Sequence, residues 1–350
     1  MSSPGPPGSV DDGHPDTDAH VAIFGPNPLL TVTLEIEGGD RQSIHFHAGG
    51  QPVWVARMAA CLGARPVLCG FLGGESGDLL MPLLERVVDG GELRLVPTTS
   101  ASGCYVTDRR SGSRELLAMK LSDPPSRHEL DELFSQTCSR AIACGWLVVT
   151  NPLPAQSLPL EIYGELVADA RAGGCRTLVD LSSPRLDSAL QGEPDLVKIN
   201  DWELAEYVRG PVSTPQLMRA GAQRLHDGGA RSVIVTRGEL PALVLHEGQF
   251  AQLSPPPFER GFREGCGDSM MGALTAAWAR GESFEQAIKL GAAGGAANFL
   301  RRGLGGASRE VVEELADQVT LEAWPATGDP GEGAARRTDP SGAVARRGSS

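Results

Sequence analysis

No apolar run in this 350-residue chain reaches the roughly 18–20 residues that a membrane helix needs, so a membrane-spanning protein is not expected. The opening residues, MSSPGPPGSVDDGHPDTD, lack the cationic start and apolar stretch of a secretory signal, and a cytoplasmic protein is the expectation. Positive charge is scarce too. With 31 Lys and Arg against 44 Asp and Glu, the net charge is −13. That balance repels phosphate backbones and argues against nucleic-acid binding. The seven cysteines (Cys61, Cys69, Cys104, Cys138, Cys144, Cys175 and Cys266) include no C-x-x-C pair, and most sit in apolar contexts. Buried reduced thiols are expected rather than zinc sites or disulfides. There is no internal repeat of 20–50 residues, and the abundant glycine and proline follow no collagen-like period.

What the chain does contain is alternation. Residues 1–18 and 326–350 are rich in Gly, Pro, Ser, Asp and Arg and nearly free of large apolar side chains. Neither end buries enough surface to offset its ordering entropy, so both are expected to be disordered tails around a domain spanning 19–325. Within it, HVAIFG, RPVLCGF, WLVVTN, RTLVDLS, DLVKIN and SVIVTRG are short apolar runs that end in turn formers. Helical patterns separate them. This is the βαβ rhythm of an α/β fold: a doubly wound, mostly parallel sheet with helices on both faces. LTVTLEIEGG, SIHFHAGG, SGCYVTDRR and SRELLAMKL break the rhythm. They alternate polar and apolar residues, which predicts a small separate β-sheet lid near 30–48 and 102–121 with one covered and one free face.

The most informative stretch is Gly265-Cys266-Gly267-Asp268-Ser269, which runs into a helical pattern. Glycines before a helix leave N–H groups aimed at an anion, aided by the partial positive charge of the helix start. An Asp there repels a phosphate, but it suits a base that takes a proton from a hydroxyl while the N–H groups stabilise phosphoryl charge. Asp is also a favoured N-cap, worth about 1 kcal/mol, and the motif alone leaves both readings open.

Its neighbours extend the pattern. From about residue 20 to 322 the sequence resembles the ribokinase-like (PfkB) carbohydrate kinases. Arg263 to Met270 looks like the family's C-terminal signature. AGGQPVWVARMAACLGARPVLCGFLGGESGDLL looks like its N-terminal one, LVKINDWEL like its K-P-N-x-x-E-L, and SVIVTRGELPALV like its nucleotide loop. The end of the chain, AAGGAANFLRRGLGGASREVVEEL, is most similar to the 1-phosphofructokinase and tagatose-6-phosphate kinase branch. The resemblance implies ATP and Mg²⁺, with Asp268 as catalytic base and Gly265, Cys266 and Gly267 as anion hole. It also implies that Asn200 and Glu203 organise Mg²⁺ through water, and that Lys198, Thr236, Gly238 and Asn298 serve the nucleotide. Glu203 has an alternative reading as a solvated first-turn residue, and Asn298 one as a helix-surface amide.

The acceptor side departs from the family pattern. Asn27 is kept, but Thr31 stands where relatives have an Asp. After Gly49 and Gly50 the usual Lys and Asn are Gln51 and Trp54. Ser102 falls where phosphofructokinases place a phosphate-gripping Arg, Asn151 lies in an altered segment, and Pro241 replaces the second Gly of the nucleotide loop. His45 and His47, two apart on a lid strand, face the same side and lie within reach of the acceptor. With two cations gone, fructose phosphates are expected to be poor substrates. Neutral acceptors with a flat face for Trp54 are expected to be better ones.

The leading expectation is therefore an ATP-dependent kinase acting on a hydroxyl of a sugar or sugar-like molecule. A catalytically weakened nucleotide-binding regulator and a nucleoside kinase are the alternatives. The partners expected are ATP, a small acceptor and, through the free lid face, a second copy of the chain.

Overall fold

The computed structural model describes residues 19–324 except 39–40, 155–156, 259 and 301–305, so the two expected tails lie outside the described residues. A ten-stranded sheet contains β1 (His20–Phe24), β4 (Arg65–Leu72), β5 (Glu92–Pro97), β8 (Trp146–Thr150), β9 (Arg176–Asp180), β10 (Leu196–Asn200), β11 (Val233–Arg237), β12 (Leu240–His246), β13 (Gln249–Ser254) and β14 (Thr320–Ala323). A second sheet contains β2 (Leu29–Glu37), β3 (Arg41–Gly49), β6 (Cys104–Asp108) and β7 (Glu115–Lys120). The helices are α1 (Gln51–Cys61), α2 (Gly74–Val88), α3 (Arg127–Cys144), α4 (Glu161–Ala172), α5 (Arg185–Gln191), α6 (Asp201–Val208), α7 (Pro215–Asp227), α8 (Cys266–Ala279), α9 (Phe284–Phe299) and α10 (Arg309–Ala316).

The large sheet runs β14-β13-β12-β11-β10-β9-β8-β1-β4-β5, parallel from β11 to β5 and antiparallel beyond. Its central strands β1, β8, β9, β10 and β11 are mostly apolar because both faces are covered, while the edge strands β5, β13 and β14 are partly exposed. In β1, Ala22 and Phe24 join the cluster under α3–α7, while Val21 and Ile23 join the one under α1, α2, α8, α9 and α10. This is the doubly wound α/β sheet that the sequence pattern predicts. Strand order reverses at β1, which pairs with β4 on one side and β8 on the other.

The small sheet has the order β3-β2-β6-β7. Thr31, Thr33 and Glu35 of β2, His45 and His47 of β3, and Thr107 of β6 line a pocket against the body of the protein. The alternate residues point away, leaving Ile44 61% and Phe46 53% exposed beside Ile36. The free face of this lid is thus its apolar one. All seven cysteines are free thiols.

Leu147 is fully buried on β8 in the centre of the sheet. Leu147→Ala is expected to lower the unfolding free energy by about 2–5 kcal/mol. Urea unfolding at unchanged slope measures this, and a loss under about 1 kcal/mol would contradict packing on that face.

Candidate active site

Of the residues singled out in the sequence, Lys198, Asn200, Glu203, Thr236 and Asp268 gather at the carboxyl ends of β10 and β11. Asp268 sits in the first turn of α8, whose N-cap is Gly265 at φ 73°. The left-handed backbone at 265 favours glycine. Gly267 is required for a different reason: a Cβ there would lie 2.7 Å from Lys198 Nζ. The Cys266 N–H closes a turn onto the Arg263 carbonyl at 3.3 Å, whereas the N–H groups of Gly267 and Asp268 lie in the first turn of α8, where helix donors lack an intrahelical partner. Burial pushes the Cys266 thiol up to about 11, which keeps it neutral beside them.

Lys198 Nζ donates to Asp180 Oδ2 at 2.5 Å, with both side chains almost wholly buried. Burial opposes the Lys198 charge, but Asp180, Asp268 and Glu203 outweigh it and raise the lysine pKa. Asp268 is held up at about 7, first by burial and then by the Asp180 charge, against the lowering effects of Lys198 and of a hydrogen bond from Gln51. That is a base poised near neutrality. Sequence reasoning missed Asp180. Its signal was a lone carboxylate closing the apolar run RTLVD at a strand end.

Asn200 and Glu203 form a reciprocal capping box at the start of α6: Glu203 N–H donates to Asn200 Oδ1 at 2.8 Å, and Asn200 N–H to Glu203 Oε2 at 3.0 Å. Burial, ahead of the Asp180 charge, raises the Glu203 pKa. On the α8–α9 side a cleft of about 270 Å³ is bordered by Lys198, Thr236, Gly238 and Gly267 and walled by Leu240, Phe258, Ala296 and Phe299. An apolar slot with a polar end suits a purine ring and its phosphates. Pro241 falls where the β11–β12 register shifts, so its missing N–H breaks no regular ladder. Arg237 also borders the cleft, with Nε and Nη1 buried and without a protein partner. Asn298, expected in the adenine wall, lies behind the loop instead. It is fully buried, and its Nδ2 donates to the Glu264 carbonyl at 2.8 Å.

The predicted acceptor residues divide. Thr31, Gly49 and Trp54 line the lid pocket. Gly50 caps α1, and Gln51 spans two groups, accepting from Asn151 N–H at 2.9 Å and bonding Asp268. Three others have structural employment. Asn151 Oδ1 accepts from Ser182 N–H at 3.2 Å and Arg185 Nε at 3.1 Å. Asn27 Oδ1 accepts from Ser157 at 3.2 Å. Ser102 Oγ accepts from Gly73 N–H at 3.2 Å and is absent from the pocket lining. The expectation of a pocket without cations does not hold. Arg57, Arg109 and Arg114 line it, brought in by α1 and by the β6–β7 hairpin from positions that linear alignment never compares with 51 or 102. His45 and His47 stack at 6.0 Å in the same pocket, and burial, then His45, lowers the His47 pKa.

The profile of the pfkB family carbohydrate kinases matches residues 31–310. The chain belongs to this family. It is 32% identical over 268 residues to the ATP-dependent 6-phosphofructokinase isozyme 2 of Escherichia coli, covering 74% of this chain and 83% of that one. It is 28% identical over 283 residues to the 1-phosphofructokinase of Rhodobacter capsulatus, covering 78% and 88%. The crystal structure of E. coli phosphofructokinase-2 in complex with fructose-6-phosphate overlays with a TM-score of 0.73 at 27% identity, covering 86% of this chain and 99% of that chain. The carbohydrate-kinase function and the mostly parallel fold expected from the sequence both stand.

Asp268 accepts a proton only when ionised, so its raised pKa moves the loss of activity up into the neutral range. In this pfkB kinase kcat/KM should fall about tenfold per pH unit below roughly pH 7 and level off above it. Lys198→Met removes the cation that holds Asp268 down, so the acid limb should move to higher pH. A profile flat down to pH 5 would contradict the role of Asp268.

Proposed function

We propose that the protein transfers the γ-phosphoryl group of ATP to a hydroxyl of a phosphorylated sugar. The observation that carries this is the joining of two sites by one turn. Gly49 borders the pocket of Arg57, Arg109 and Arg114, and Gln51, two residues on, bonds the Asp268 carboxylate. A phosphate dianion matches several guanidiniums, which hold it by paired N–H donors. Trp54 offers a flat apolar wall to the sugar. The relatives named phosphofructokinase support the same acceptor class.

In the transfer, Asp268 takes the hydroxyl proton as the acceptor oxygen bonds to the γ-phosphorus. The bond from that phosphorus to the bridging oxygen breaks, and ADP leaves with the electron pair. The Gly267 and Asp268 N–H groups and Lys198 face the charge that develops on the phosphoryl oxygens. Magnesium fits as a hydrated ion carried by the nucleotide. Among the described residues no three His, Cys, Asp or Glu side chains form a cage, while Glu203 keeps Oε1 and Asn200 a lone pair of Oδ1 for metal-bound water. Its contribution would be to neutralise phosphate charge. The exposed apolar lid face, Ile36, Ile44 and Phe46, is best covered by a second copy of the chain, giving a homodimer through the lid.

Asp268→Asn should lower kcat by about 100-fold or more with ATP binding nearly unchanged, because the amide keeps the shape and cannot take the proton. Retention of more than a tenth of activity would remove Asp268 from this role. Fructose 6-phosphate, fructose 1-phosphate and neutral sugars, compared by kcat/KM, test the acceptor class, and better use of neutral sugars would overturn it. Phe46→Asp should shift the protein to a monomer in size-exclusion chromatography with light scattering. An unchanged mass would contradict the lid dimer.

A further inference from the structure

Two consecutive side chains tie the anion-hole turn to both substrate pockets. Arg263 donates to Glu239 Oε1 through Nη2 at 2.7 Å and Nε at 3.1 Å, on the loop that borders the nucleotide cleft. Glu264 points the other way. Its carboxylate lies 3.6 Å from Arg109 Nη2 and 4.0 Å from Arg114 Nη1, two of the three guanidiniums that line the lid pocket. The backbone of Glu264 is fixed, because Asn298 Nδ2 holds its carbonyl and Gly265 opens α8 immediately after it. Only its side chain has room to swing, being 40% exposed against 15% for Arg109.

We infer that Glu264 is an internal stand-in for the acceptor's anionic group, competing with it for Arg109 and Arg114 and so setting how strongly an acceptor must be charged to enter. This rests on the proposal that those arginines receive a phosphate. Without an acceptor, two cations on one hairpin repel each other, and Glu264, together with Glu35 in the pocket lining, supplies negative charge that offsets the repulsion. At 3.6 and 4.0 Å, and partly exposed, these are weak pairs. A phosphate dianion brings about twice the charge and more acceptor oxygens, and it displaces the carboxylate. A neutral sugar cannot displace it, so Glu264 discriminates against uncharged acceptors as well as weakening charged ones. Because Glu264 directly precedes the anion hole, its release also frees the lid from the turn that must receive the γ-phosphoryl group. Glu264 touches no reacting atom; it is a positioning and specificity-determining residue.

The test uses the full chain and inorganic phosphate as probe, with binding read by calorimetry and fructose 6-phosphate kinetics alongside. Glu264→Gln keeps the shape and removes the charge. It should tighten phosphate binding and lower the acceptor KM by about three- to tenfold, with kcat changed by less than about twofold, the effect expected of one partly screened charge. The gain should shrink at high salt. A residue with a merely structural role would weaken binding, not tighten it. Glu264→Asp, shorter but still charged, should fall between wild type and Glu264→Gln. Unchanged phosphate affinity and KM in Glu264→Gln overturn the inference. Arg109→Met separates the two levels. If it abolishes phosphate binding while Glu264→Gln does nothing, the phosphate pocket stands and the role of Glu264 falls. If Arg109→Met leaves phosphate binding and KM intact, the pocket assignment falls and takes this inference with it.

Discussion

The active-site geometry depends on one buried ammonium. Lys198 on β10 sits among Asp180, Glu203 and Asp268, three carboxylates contributed by β9, α6 and α8. Without it, three like charges in a poorly hydrated crevice would repel each other and take up protons. With it, they are held close together, and Asp268 is poised near neutrality. The glycine at 267 follows from the same constraint, since any side chain there would strike Nζ. So does the join between the nucleotide cleft and the base, because Lys198 forms part of the cleft border.

Much of this was legible in the sequence. Apolar runs ending in turn formers mark strands covered on both faces, and Gly-Cys-Gly-Asp before a helix marks the turn that sets Asp268 beside Lys198 at the start of α8. These signals are local, because each is made by neighbours in the chain. What escaped is made by neighbours in space. Arg57, Arg109 and Arg114 come from a helix and a hairpin, and only the pairing of β2 with β6 sets them in one pocket. Asp180 looked like a strand ending until its partner 18 residues away was seen. The converse is equally instructive. Asn27, Ser102 and Asn151 carry polar groups at plausible positions, yet each is occupied in holding loops together, and Asn151 alone ties four groups. Residue type indicates what a side chain can bond. Only the fold shows whether that capacity is already taken.

The turn at 263–264 separates two jobs within a few residues. The N–H donors and the base are set by α8 itself, so the side chains just upstream are free to take on other contacts. Here they carry opposite charges that reach opposite ways, one toward the nucleotide loop and one toward the lid. Ionic contacts on adjacent residues thus connect the turn to the loop at Glu239 and to the lid hairpin, which neither the helix nor the glycines do.

The lid carries its polar residues inward and its apolar residues outward on the same strands, with Thr31 opposite His47 and Val32 opposite Phe46. Side chains in a strand alternate strictly, so a shift of one residue exchanges the two sets. Inserting or deleting a single residue in β2 or β3 would fill the pocket with Val, Ile and Phe and turn Thr and His out to solvent, destroying both faces at once. Changes of two residues preserve both. The paired stretch of β2 and β3 therefore tolerates length changes in even steps, and a single-residue change needs a bulge of the kind that β6 and β7 show at Val106–Thr107.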